Sequence, residues 1–149
     1  MPLSGKAMLE LMSAVLAKGR AFRFQARGWS MNPFIHDGDV IYVSPFQKKM
    51  PSVGEVVAYS QPTSEKLVVH RLVRRLGDKW LILGDNSVDA IGEQVPDSNL
   101  IGRVTRIERN SKKVWLGLGP ERYLIALFSR TGRLMVVLTW IKQGFNRKL

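Results

Sequence analysis

The stretch KLVVHRLVRRLGDKWLILGD, residues 66–85, decides how the rest of the chain is read. Two aliphatic runs, Arg71–Leu76 and Lys79–Leu83, are held apart only by Gly77-Asp78. A two-residue connection of that composition joins antiparallel strands in a hairpin. With the strand period of two, His70 shares a face with Val68 and Leu72, so an ionisable ring stands on the apolar side of a strand. Such a histidine is either a hydrogen-bonded core residue or a proton carrier.

Working outward, DVIYVS (39–44), GEVVAYS (54–60), LIGRVTRIER (100–109) and KVWLGLG (113–119) are further β-branched or aromatic runs. Turn chemistry separates them at Pro51-Ser52-Val53-Gly54 and at Asn110-Ser111-Lys112-Lys113, which joins Ile101–Arg109 to Val114–Leu118 in a second hairpin. So many short antiparallel strands predict a mainly β domain over residues 23–119, coiled into a small barrel-like sheet. Residues 1–22 read as a short amphipathic helix, with apolar Met8, Leu9, Leu11, Met12, Val15 and Leu16 and with Ser4 as a cap. Residues 120–149 return to helical spacing, Leu124, Leu127, Phe128, Met135, Leu138 and Phe145 lying near one stripe that Arg130, Gly132 and Arg133 interrupt.

The chain has 149 residues, 45% of them apolar, which supports one modest core without staples. No cysteine is present, so disulfides and thiolate sites are excluded, and two histidines, His36 and His70, speak against a histidine-rich zinc site; no metal or organic cofactor is implied. A net charge of +11 favours anionic partners. From Arg122 onward there are six basic residues and no acidic one, which suits contact with an anionic membrane surface. A helical hairpin packed on the domain or on a second copy, giving a homo-oligomer, fits the same residues. No recognition helix or aromatic RNA-binding signature supports a nucleic-acid partner. Neither end carries a run apolar enough to span a bilayer, nor the N-terminus a signal-peptide core, so a cytoplasmic or peripherally membrane-associated protein is expected.

Chemistry enters with ARGWSMNPFIHDGDVIYVSP, residues 26–45, where a stiff lead-in holds Ser30 ahead of a strand. A serine hydroxyl becomes a nucleophile only when a base accepts its proton, and His70 is the one well-placed base. In LILGDNSVDAIGEQVPDSNLIGRV, Asp85 and Asp89 supply carboxylates at a polar turn that could orient an imidazole, although a hydrogen-bonded Asx turn accounts for the composition equally well.

In this order, GWSMNPFIHDGDVIYV, GEVVAYS, LVVHRLVRR, LILGDNSVD and LIGRV closely resemble the boxes of type I signal peptidases, from Gly28 to about Val104. The resemblance implies the signal-peptidase fold with helical termini, and a serine endopeptidase without cofactor. By resemblance Ser30 is the nucleophile. His70, preceding Arg71, takes the place of the general base, as in the serine–histidine variety of the endoplasmic reticulum and archaea. Gly84, Asp85 and Asn86 match the Gly-Asp-Asn box, and Asp89 most nearly matches the later acidic position. The substrate is expected to be a peptide or protein segment with small residues before the cleaved bond, bound beside Gly28, Trp29, Met31 and Pro33. Two departures stand out: the family's usual N-terminal membrane anchor is not seen, and Gly28 occupies the place of a serine that in many bacterial relatives helps bind the oxyanion. They support an alternative, a catalytically weak or inactive peptide- or membrane-binding module on the same fold. The related self-cleaving SOS-type repressors share the serine box but use a lysine base and carry a DNA-binding domain, for which too few residues precede Ser30.

Overall fold

In the computed structural model, which describes residues 5–87 and 91–147, the chain runs through α1 (Gly5–Ala17), β1 (Phe22–Gln25), β2 (Val40–Ser44), β3 (Val56–Ser60), β4 (Leu67–Leu76) and β5 (Lys79–Leu83). It continues through β6 (Glu93–Pro96), β7 (Leu100–Arg109), β8 (Lys112–Val114), α2 (Arg122–Arg130) and α3 (Leu134–Asn146). Ser4, read as a helix cap, lies outside the described residues. The fold is mainly β, with helices at both ends as expected. The strands form one antiparallel sheet in the order β1-β2-β7-β3-β4-β5-β6, with β8 added to β7. It is coiled but not closed.

β3 explains the coil. All of Val56, Val57, Ala58 and Tyr59 are buried. Alternation sends Val56 and Ala58 to a core with Met12, Leu16, Ile41, Val43 and Ile107. Val57 and Tyr59 go to a second core with Leu72, Trp80, Ile82 and Val95. A strand buried on both faces needs apolar cover on each side, and α1 supplies part of one. Each aliphatic side chain buried this way stabilises the fold by about 1.5–3 kcal/mol.

The β4–β5 hairpin turns at Gly77-Asp78 as the sequence indicates, pairing Leu76 with Lys79 and Arg71 with Leu83. The second hairpin turns more tightly than expected. Asn110 and Ser111 both take positive φ, so pairing resumes at once with Arg109 opposite Lys112. β8 then stops at Val114, because the chain beyond is bent toward other partners: the Gly117 carbonyl accepts from Arg71, and the Gly117 and Gly119 N–H groups donate to the Glu121 carboxylate. β6 was not expected. Its sequence, EQVP, has a single buried apolar residue, Val95, and no period long enough to read.

At the C-terminus the interruption at Thr131–Arg133 separates α2 from α3. The stripe read from spacing coincides only in part with the buried face, since Phe128 and Leu138 pack inward. Ile125, Ala126 and Leu134 are buried, whereas Leu124, Leu127 and Phe145 are exposed. Ala126 decides the orientation of α2: its small side chain lets the helix approach Val73 and Leu83 of the sheet closely. No helix among the described residues is long and apolar enough to cross a membrane.

Candidate active site

The segment around Ser30 is a loop closed on itself by its own polar groups. Asp37 accepts the Gly28 N–H at 2.8 Å, Gly38 N–H donates to the Ala26 carbonyl, and Ala26 N–H donates to the Asp39 carbonyl. The Asp39 side chain accepts from His36 N–H and from Arg109 of β7. Burial pushes its pKa up, but these bonds outweigh that and hold it below the ordinary carboxylate value. The two aspartates flanking Gly38 thus serve to fix the loop. Within it Met31 and Phe34 are buried and act as anchors, while Ser30 and Trp29 remain exposed.

Gly84-Asp85-Asn86 at the end of β5 lies against this loop. Asn86 N–H donates to the Ser30 carbonyl at 3.0 Å, and Asp85 N–H points at Met31 Sδ at 3.4 Å. Gly84 is required by close approach: a Cβ there would stand 2.6 Å from the Ser30 carbonyl oxygen and 3.2 Å from His70 Nε2. Ser30 and His70 are therefore brought together across a single glycine, on the wall of a hollow of about 290 Å3 shared with Asn86, Gly92 and Glu93. No hydrogen bond joins the Ser30 hydroxyl to the His70 ring among the described residues.

His70 sits in the middle of β4, opposite Val57 of β3. Its Nδ1 lies 3.4 Å from the Tyr59 hydroxyl, and that hydroxyl donates to Glu93 Oε2 at 2.9 Å. Tyr59 has one proton, and it is donated in the bond to Glu93. Its oxygen can then only accept from His70, which puts the proton of the neutral ring on Nδ1 and leaves the Nε2 lone pair free on the side of Gly84 and Ser30. Burial lowers the His70 pKa below 6.5, partly offset by the Glu93 charge. Burial and the bond to Glu93 raise the Tyr59 pKa, so it stays a phenol.

Asp85 is placed elsewhere. Both its oxygens are taken by Arg71, Nε to Oδ1 at 2.8 Å and Nη2 to Oδ2 at 2.7 Å, in a pair with no solvent exposure. The physical reason is the strand period: next to His70, Arg71 must point to the opposite face. There it also donates to the Gly54 and Gly117 carbonyls and stacks over Phe34. Burial raises the Asp85 pKa and Arg71 opposes that rise. Asp85 is thus bonded to the arginine after His70 rather than to His70, while Asp89 lies outside the described residues. Among the described residues the carboxylate linked to the His70 ring, through the Tyr59 hydroxyl, is Glu93, which comes from the unanticipated strand β6.

A second hollow, about 570 Å3, opens on the other side of Ser30. Gly28, Met31, Ile41, Phe24 and Val69 are among its lining residues, and α1 reaches its rim through Gly5 and Met8. Trp29 and Pro33 do not line it. The sequence matches the family described as Peptidase S24-like over residues 3–105, more than half of the chain. The chain belongs to the Peptidase S24-like family. In this S24-like chain the matched region contains Ser30, His70, Tyr59, Glu93 and Gly84, and stops before the C-terminal helices. No curated protein matches the sequence.

Proposed function

We propose that this chain is a serine endopeptidase of signal-peptidase type, of the serine–histidine variety, cleaving extended peptides after small residues. The observation that carries the reading is the convergence of the Ser30 main-chain carbonyl and the free Nε2 of His70 on Gly84, with both residues lining one hollow. Ser30 Oγ attacks the scissile carbonyl as its proton passes to His70 Nε2. Gly28 N–H is engaged by Asp37, so the oxyanion falls to the Ser30 N–H, which has no acceptor among the described residues. His70 then gives its proton to the leaving amine, and a water activated by the same nitrogen hydrolyses the acyl ester. Tyr59 and Glu93 are positioning residues: they hold the ring in its working tautomer and set a negative charge behind the imidazolium.

The mode of binding follows from β4. Leu67–His70 pair with β3 on one edge, whereas β5 pairs only from Arg71 onward. The edge left open beside the 570 Å3 hollow is suited to an added peptide strand, with main-chain hydrogen bonds along it and alternate side chains in the hollow. A peptide with alanine at the first and third positions before the cleaved bond is the test substrate. Its kcat/KM is expected to rise with pH through a pKa below 6.5 and then stay level, because only neutral His70 accepts the serine proton. Since the Glu93 charge raises the His70 pKa, Glu93→Gln should move that limb to still lower pH and reduce the plateau on the order of tenfold. A limb centred above pH 8 would point to a different base.

A peptide-binding module without turnover is the second reading. It is favoured by the engaged Gly28 N–H and by the lack of a Ser30–His70 hydrogen bond among the described residues. It predicts peptide binding without products, unchanged in Ser30→Ala.

A further inference from the structure

Among the described residues, the buried contacts of α3 lie near its start. Leu134 is buried, and with Leu138 it joins Phe34, Ile125 and Phe128 in a small cluster behind the Ser30 loop. Elsewhere on the helix apolar residues are uncovered: Trp140 is 76% exposed and Phe145 74%, with Val136 and Ile141 also exposed and Val137 half-buried. At 3.6 residues per turn, Val136, Val137, Trp140, Ile141 and Phe145 span roughly half the circumference of the helix. Cations bracket this face. Arg133, Trp140 and Arg147 follow one another at seven-residue steps along one line, so a cation stands about 10 Å from Trp140 at either end. Neither arginine has an acidic partner among the described residues, and after Glu121 the sequence contains no acid at all.

We propose that α3 docks on an anionic lipid surface, lying in the interface with Trp140 midway along its inserted face and Arg133 and Arg147 reaching to headgroups. Charge decides against a second copy. Two such faces packed about Trp140 in antiparallel would set Arg133 against Arg147 twice, and no acid on either helix would relieve the repulsion. An aromatic midway along the helix with cations at the ends is the arrangement that a hydrocarbon boundary under a layer of phosphates stabilises. This inference is independent of the catalytic reading, since none of these residues belongs to the Ser30 site.

The test is cosedimentation of the full chain with vesicles of phosphatidylcholine alone and of phosphatidylcholine with phosphatidylglycerol. Partitioning into the anionic vesicles is expected to exceed that into neutral ones by about tenfold or more, and to fall as salt is added. Trp140→Glu with Phe145→Glu should lower it by about tenfold or more while leaving the fold intact, because both side chains are exposed. Equal, weak binding to both vesicle types overturns the proposal without recourse to any variant. So does sedimentation velocity showing a dimer that the double variant dissociates, and so does binding to polyglutamate as strong as to anionic vesicles, which would mark an acidic protein as the partner.

Discussion

Replacing Ser30 by alanine is expected to lower peptide cleavage by about 10⁴-fold or more, replacing His70 by about as much, and replacing both by no more than either alone. The losses do not add because the two side chains act as one unit: a hydroxyl without an acceptor for its proton is no better a nucleophile than water, and an imidazole without the hydroxyl has no proton to take. Each variant should keep the wild-type fold. Ser30 is exposed, and its carbonyl, which Asn86 N–H engages, survives the substitution. Kinetics on the alanine-bearing peptide, with urea unfolding as a control, checks this. A double variant that cleaves at the wild-type rate would assign the activity to another group.

Asp85→Asn should be among the most damaging single changes to the fold, at about 3–5 kcal/mol, because it leaves the fully buried Arg71 guanidinium without its counter-charge. Against a typical stability of about 5–15 kcal/mol for a domain, that brings the protein close to unfolding at room temperature. The companion variant Arg71→Met with Asp85→Leu removes both charges together and should cost much less than the sum of the single changes, since an apolar pair leaves nothing unsatisfied except the Gly54 and Gly117 carbonyls. Urea unfolding of the three variants measures the difference. A loss below about 1 kcal/mol for Asp85→Asn would mean that water reaches the pair.

This buried pair also shows why the partner of Asp85 is not legible in the sequence, which leaves Asp85 and Asp89 both open beside His70, while the strands around it are. Residues 66–85 carry their hairpin openly: a period of two, a Gly-Asp turn and apolar residues that register against each other. The same period places His70 and Arg71 on opposite faces, but it cannot say which face the next carboxylate will meet. That depends on where β5 ends relative to β4, and Gly84 hands Asp85 to the arginine side. The role of Glu93 is hidden in the sequence for a related reason. EQVP is too short and too polar to be read as a strand, yet pairing Glu93 with Ile82 brings a carboxylate into reach of Tyr59 across the sheet. Tyr59 was visible only as one more aromatic in a strand. Its role as the link between acid and imidazole arises from its diagonal position to His70 on neighbouring strands, a relation that needs both registers. In the tail, helical spacing was legible but burial was not, because Ala126 rather than the bulkier leucines fits against Val73 and Leu83.

Covalent labelling tests the central claim most directly. The full chain, treated with a fluorophosphonate that reacts with activated serines, is digested and its peptides weighed, with wild type compared against His70→Ala across pH. The expected result is a single adduct on Ser30 whose rate of formation rises through a pKa below 6.5 and falls by about 10²-fold or more in His70→Ala. An adduct on another residue, or labelling of Ser30 at the same rate without His70, would contradict the assignment of Ser30 as nucleophile and His70 as its base.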